Sequence, residues 1–254
     1  MIYVHPVSKA LWVLNRLSNP PFAMGVSQLA RELDMTPGGM HKIMSLLLQE
    51  GFVSQDPHSK QYRLGVALYR LGSEYDYQKG LKGIVQPTMQ EIADSTGQWV
   101  SLGIREGDDA ILFYRISGPK LVRIDIKIGL KYPINASAIG KCLAAYHPFP
   151  ESMKKRVFSE ELTRFTQFTI VDPYRLIAEY KKIRTDGYSV SKQEHHLNES
   201  AIAVPIKDRT GNTSMCLSIG NYSEDGNADS VEKFIPYVLD AAESLAAKLQ
   251  YKEL

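Results

Sequence analysis

The stretch from Asp34 to Gly51 constrains this chain more than any other. Asp34-Met35 reads as a tight turn, Thr36 as a natural N-cap, and Pro37 falls at the first helical position, where its missing N–H costs nothing. Met40, Ile43, Met44, Leu47 and Leu48 then recur at i, i+3, i+4, i+7 and i+8, an apolar stripe that Gly51 brings to a stop. A helix so patterned must bury its stripe, and the partners lie just upstream. Val7, Leu11, Leu14 and Leu17 form one amphipathic helix, ended by Ser18-Asn19-Pro20-Pro21. A short helix follows, with Ser27 as its predicted N-cap and Leu29, Ala30 and Leu33 turned inward. Short helix, turn, and a helix with one apolar face make the helix-turn-helix pattern.

With the stripe buried, Pro37, Gly38, His41, Lys42 and Ser45 face outward. An α-helix fits the major groove of B-DNA, and its N-terminal residues approach the base edges. A three-helix bundle without a DNA role shares the pattern, so the following residues matter. Phe52–Gln55 and Gln61–Leu64 read as two short strands joined by a turn-rich Asp56-Pro57-His58-Ser59-Lys60 loop. A hairpin placed there is the wing of a winged helix, with Lys60 and Arg63 available to phosphates. The net charge of +2 falls within the first 80 residues and the remainder is neutral, a balance compatible with phosphate binding but too small to establish it. The candidate DNA-facing set is Ser27, Gln28, Thr36, Pro37, Gly38, Gly39, His41, Lys42, Ser45, Lys60 and Arg63.

Beyond the wing, Leu64, Ala67, Leu68, Leu71 and Tyr75 predict a helix over about residues 65–78, and a second helix covers Leu81–Asp94. The period then changes to two. Trp99–Ile104, Ala110–Ile116 and Leu121–Ile128 read as strands, as do Ala201–Lys207 and Met215–Ile219 around an Asp208–Asn212 turn. Helices are predicted at Ala138–Tyr146, Glu151–Val157, Tyr174–Thr185 and Asp229–Tyr251. A mostly antiparallel sheet flanked by helices is an α+β domain. The expected organisation is two-domain, a mainly α winged helix-turn-helix over residues 1–78 and an α+β domain over 79–254.

Both halves resemble the isocitrate lyase regulator (IclR) family of bacterial transcription factors. In the first half the resemblance rests on Val26-Ser27-Gln28-Leu29-Ala30, Gly51-Phe52-Val53, Tyr62-Arg63-Leu64-Gly65 and Leu71-Gly72. In the second it rests on Asn135–Ala144, Gly187-Tyr188, Glu194, and Ala203-Val204-Pro205-Ile206 leading into Leu217-Ser218-Ile219. The resemblance implies a GAF-like C-terminal domain that binds a small metabolite and adjusts the affinity of a homodimer or tetramer for an inverted-repeat operator. It also implies that the 65–78 helix joins the domains. Repression and activation are equally open. One departure is Gly38-Gly39, where the family usually has a Ser-Thr pair; each helical glycine costs roughly 1 kcal/mol against alanine. A second is Asn198, where relatives usually have glycine; asparagine is the residue that next best tolerates a left-handed backbone.

Ser137-Ala138-Ile139-Gly140 opens a helix whose first N–H groups can hold a carboxylate without a basic side chain, which suits an organic or aromatic acid. By resemblance the effector pocket also includes Leu121, Ile124, Ser191, Ala201 and Ser218. Ser191 stands where relatives often have an acid, and Ala201 where some have a cysteine. Glu194-His195-His196 invites a metal-responsive alternative, with Cys142 or Cys216 as further ligands. No CxxC, HxxxH or HExxH spacing supports it, and strand neighbours would point to opposite faces. A ligand-free winged-helix interaction protein is the other alternative. No Ser/His/Asp arrangement or phosphate-binding glycine loop suggests an enzyme, and no cofactor is expected. Cys142 and Cys216 sit among apolar neighbours, as buried thiols of a reducing compartment do. No apolar run approaches the roughly 18 residues that span a bilayer, and no signal-peptide core is evident, so the expected location is cytoplasmic.

Overall fold

The computed structural model describes residues 6–118, 127–222 and 231–250. The chain divides into two compact units, Met1–Gly80 and Leu81–Leu254. The first contains α1 (Pro6–Leu17), α2 (Val26–Glu32), α3 (Pro37–Gln49), β1 (Val53–Gln55), β2 (Tyr62–Leu64) and α4 (Val66–Lys79). Its core joins Val13 and Leu17 of α1, Leu29 and Ala30 of α2, and Met40 and Met44 of α3 to Val53 and Tyr62 of the antiparallel β1–β2 hairpin. Thr36 caps α3 as expected, its hydroxyl accepting from the Gly39 N–H at 3.2 Å, and Gly51 ends it with φ 74°.

Two predicted details differ. The N-cap of α2 is Gly25, and Ser27 lies exposed inside the helix. Met24 exchanges two backbone hydrogen bonds with Tyr62 (2.9 and 2.8 Å), which holds it extended, so the helix starts directly after Gly25. The buried face of α1 carries Val13 and Leu17, whereas Val7 and Leu11 are exposed. The apolar stripe of α1 is wider than the surface α2 and α3 offer it.

The second unit begins with α5 (Leu81–Thr96), β3 (Trp99–Glu106), β4 (Asp109–Ile116) and β5 (Lys131–Tyr132). Then come α6 (Ala138–Ala145), α7 (Pro150–Ser159), α8 (Pro173–Asp186), β6 (Ser189–Lys192), β7 (Glu199–Lys207) and β8 (Thr213–Tyr222). A 3₁₀ turn (Val231–Phe234) leads into α9 (Ile235–Gln250), so the predicted final helix starts with a tighter turn. The described strands of this unit form one sheet, ordered β5-β4-β3-β8-β7-β6 and antiparallel at every pairing. Strands β5 and β6 are not among the predicted ones. Most of the predicted Leu121–Ile128 strand, with Leu121 and Ile124, lies outside the described residues.

Alternation gives the sheet two unlike faces. Val100, Leu102, Ile202, Val204, Ile206, Leu217 and Ile219 pack beneath α5 and α9, each burial stabilising by about 1.5–3 kcal/mol. The residues between them are small: Ser101, Gly103, Ala201, Ala203, Cys216, Ser218 and Gly220. That face receives α6, which in turn packs on α7 and α8. The seat is close. A Cβ on Gly103 would lie 2.4 Å from Ile139 Cγ2 and 2.9 Å from Cys216 Sγ, and one on Gly140 would lie 2.1 Å from the Pro133 carbonyl oxygen.

Gly103→Ala should therefore destabilise the fold by about 1–3 kcal/mol, read from the urea midpoint. Gly83→Ala, whose added methyl meets nothing within 4 Å, should stabilise by up to about 1 kcal/mol. Equal effects from the two substitutions would refute the close seating of α6.

Candidate functional site

Between the N-terminus of α6 and the small-residue face of the sheet lies a cavity. Of the eight candidate effector residues, Ser137, Ala138, Ile139, Ser191, Ala201 and Ser218 line it. Local hydrogen bonds set its shape. Ser137 caps α6 by accepting from the Gly140 N–H at 2.9 Å and donates to the Pro133 carbonyl at 2.9 Å. Ser191 donates to the Ala136 carbonyl at 2.8 Å, and Ser189 to that of Ala138 at 2.7 Å. These hydroxyls hold the entry to α6 against β6, so their donors are already spent. Asn198 takes the left-handed backbone (φ 65°) that its position suggested.

The groups that remain are different ones. The N–H groups of Ala138 and Ile139, in the first turn of α6, have no acceptor among the described residues. Ser101 and Ser218 sit opposite one another on β3 and β8, 3% and 4% exposed, and line the cavity without a hydrogen bond of their own hydroxyls among the described residues. The far wall is Trp99, Tyr132, His195, His196 and Glu199. None of these five was among the candidate effector residues. The Trp99 indole lies over Gly220, where a Cβ would come within 2.2 Å of Nε1, and the Arg115 guanidinium stacks on it at 4.7 Å. The cavity is narrow, about 20 Å³ in volume.

Electrostatics divide the wall. Burial pulls His195 down to about 4, with His196 beside it lowering it further, so its ring is neutral at physiological pH. Burial pushes the Glu199 carboxyl above the usual range, partly offset by His196 and Arg115. The His195 and His196 rings lie 4.1 Å apart and tilted, and Phe165 meets His195 edge-on at 4.8 Å. They occupy a bend, not the extended strand that would have separated them.

Lys141 is the most deeply buried charged residue among the described ones. It is 0% exposed, and its ammonium donates to Glu194 at 2.7 Å, to the Val190 carbonyl at 2.5 Å and to Glu179 at 3.2 Å. This ties α6, α8 and the segment carrying His195 to a single cation. Burial still holds the Glu194 carboxyl above its ordinary range, with Lys141 working against it. The sequence did carry a signal, a lone lysine in the apolar run of α6. Glu194 is thus occupied by Lys141, and Cys142 and Cys216 are buried, the Cys142 thiol pushed well up by burial and by Cys216. Among the described residues no three His, Cys, Asp or Glu side chains converge on a metal-sized point.

In the first unit the candidate DNA-facing residues share the surface around α2, α3 and the wing, and all are exposed except the half-buried Gly39. Gly38 faces open space, so no neighbour demands a glycine there. Arg63 reaches Asp56 at 3.5 Å, while Asp56 also accepts from the Ser59 and His58 N–H groups in the wing turn. An exposed pair of this kind is weak enough to yield to a phosphate. No helix among the described residues is long and apolar enough to cross a membrane.

The depressed His195 makes a pH test available. From pH 6.5 down to about 4 the unfolded chain takes up a proton that the fold refuses, so stability is lost as pH falls through that window. His195→Gln should gain on the parent chain across it and track it above pH 6.5, measured by urea unfolding; parallel curves throughout would sink the assignment.

The residues match two family models, the IclR helix-turn-helix domain over 6–57 and the bacterial transcriptional regulator IclR C-terminal domain over 76–247. The regulator BhcR of Paracoccus denitrificans is 26% identical over 96% of this chain and 86% of its own. The IclR crystal structure from Thermotoga maritima superposes with TM-score 0.75 at 26% identity, over 96% of this chain and 98% of that one. An IclR homologue from Microbacterium hydrocarbonoxydans, crystallised with 4-hydroxybenzoate, shares the fold at TM-score 0.84 and 20% identity, covering 98% of this chain and all (100%) of its own. With the winged helix and the helix-flanked antiparallel sheet both in place, the chain belongs to the IclR family of bacterial transcription regulators.

Proposed function

We propose that this protein is a DNA-binding transcription regulator whose operator affinity is set by a small organic or aromatic acid held in the α6 cavity. The observation that carries the acid reading is the α6 N-terminus, where the Ala138 and Ile139 N–H groups meet the Ser101 and Ser218 hydroxyls across the cavity. A carboxylate there gains hydrogen bonds and the favourable end of the helix dipole without a basic side chain. That a fold neighbour was crystallised with 4-hydroxybenzoate supports the same class. The narrowness of the cavity favours a compact ligand, and a ring requires the far wall to give way.

DNA is read by α3, with His41, Lys42 and Ser45 toward the groove and Lys60 and Arg63 toward phosphates. Gly38 and Gly39 leave the α3 backbone bare, so phosphate approaches it closely while two side-chain contacts are lost. The protein works as a homodimer or tetramer on an inverted repeat, which the exposed Val66 and Tyr69 of α4 and Leu11 of α1 support as association surface. An effector that binds one arrangement of recognition helices better than another shifts operator affinity by its differential affinity.

Fluorescence anisotropy with DNA from the gene's own upstream region tests this. Affinity should fall log-linearly with salt, and Lys60→Ala should weaken binding and reduce the slope by about one. Binding of no neighbouring fragment would defeat the regulator reading. In the same titration an acid effector should change the affinity, and at a hundredfold excess over its Kd it should stabilise the protein by about 2.7 kcal/mol. Failure of every acid to move either quantity would remove the sensing half.

A further inference from the structure

Resting on the acid-sensing reading above, we infer that Glu199 is a specificity-determining residue, and that the effector is an acid whose far end carries a hydrogen-bond donor such as a hydroxyl. The cavity has two poles of opposite demand. At α6, the Ala138 and Ile139 N–H groups and the Ser101 and Ser218 hydroxyls offer donors and no fixed charge. At the far wall, Glu199 opens β7 and lines the same cavity, and its carboxylate makes no hydrogen bond or ion pair among the described residues. Its backbone is fully engaged, the N–H donating to His196 and the carbonyl accepting from Gln193, so the side chain is fixed in place at its root.

A half-buried carboxylate without a protein donor is poorly satisfied, and a ligand donor in the cavity supplies what it lacks. Burial raises its carboxyl above the usual range, Arg115 and His196 oppose that effect, and a carboxyl oxygen accepts in either protonation state. The neutral ring of His195 alongside supplies no competing fixed cation. A second carboxylate on the ligand would instead face Glu199 directly, with like charges in a poorly solvated space. The pair of poles thus prefers a monoacid with a hydroxyl at the opposite end over its unsubstituted parent, and disfavours the diacid most.

Isothermal titration of the full-length protein with two matched series tests this: propionate, 3-hydroxypropionate and malonate, and benzoate, 4-hydroxybenzoate and terephthalate. In the series that fits, the hydroxy acid should bind on the order of tenfold or more tighter than its parent, and the diacid weakest. Glu199→Ala should erase the hydroxyl preference while parent-acid binding persists, and the isosteric Glu199→Gln should raise diacid affinity relative to the parent acid. The unliganded melting temperature of each variant reports folding. If acids bind but the hydroxy acid is no tighter than its parent in either series, or Glu199→Gln leaves the ranking unchanged, Glu199 is not the determinant and the acid site stands. If no member of either series binds, the acid site falls, and this inference with it.

Discussion

The larger unit depends on how closely α6 sits on the sheet. Gly103 and Gly140 remove two Cβ atoms that would collide with Ile139 and with the Pro133 carbonyl, and Ala201, Ala203 and Ser218 keep the rest of that face shallow. The same shallowness cannot be filled evenly. Where α6 begins, the small residues that admit the helix bound a space no side chain occupies. Tight packing and the cavity are therefore two consequences of one choice of residues, with large aliphatic side chains of β3, β7 and β8 assigned to the α5/α9 face.

Lys141 adds the electrostatic counterpart. A buried ammonium is tolerable only when its donors are met, and its three partners come from three parts of the chain, Glu179, Val190 and Glu194. Removing one partner of such a set leaves an uncompensated charge, so the arrangement acts as a register pin more than as a source of net stability. Glu194 immediately precedes His195, and the pin thereby fixes where the far wall of the cavity starts.

The parts legible in the sequence were those whose signal is local. Thr36-Pro37 and the Met40–Leu48 stripe specify α3, and the alternation through Ala201–Lys207 specifies β7, because cap chemistry and period act over a few residues. Strand β6 escaped because Ser189 and Ser191 turn toward α6 and leave no apolar alternation to read. The α2 cap was misplaced because Gly25 is fixed by the pairing of Met24 with Tyr62, a partner 38 residues away by their numbers. The cavity followed the same division. Ser137-Ala138-Ile139 announce a helix start, whereas Trp99, Tyr132 and Glu199 meet only because β3, β5 and β7 join one sheet. Each of these three looks unremarkable in its own segment.

This division also indicates how the cavity can respond to a ligand. The α6 side is held by glycine contacts, serine hydrogen bonds and Lys141, so little of it can move without breaking several interactions at once. At the far wall the Gln193 and Glu194 carbonyls accept from the Thr166 and Thr169 hydroxyls at 2.6 Å, whereas the His195 and His196 rings beyond them are held by ring contacts with Phe165 and Tyr132, each worth about 0.5–1.5 kcal/mol beyond its area. Because the cavity is only about 20 Å³, any ligand larger than water must displace part of its surroundings, and the His195 and His196 rings are the part held by the weakest contacts. Ligand size then becomes displacement of the segment between β6 and β7, rather than of α6. A signal to the rest of the protein must start from that segment, since only a part whose position differs between free and bound states can carry differential free energy.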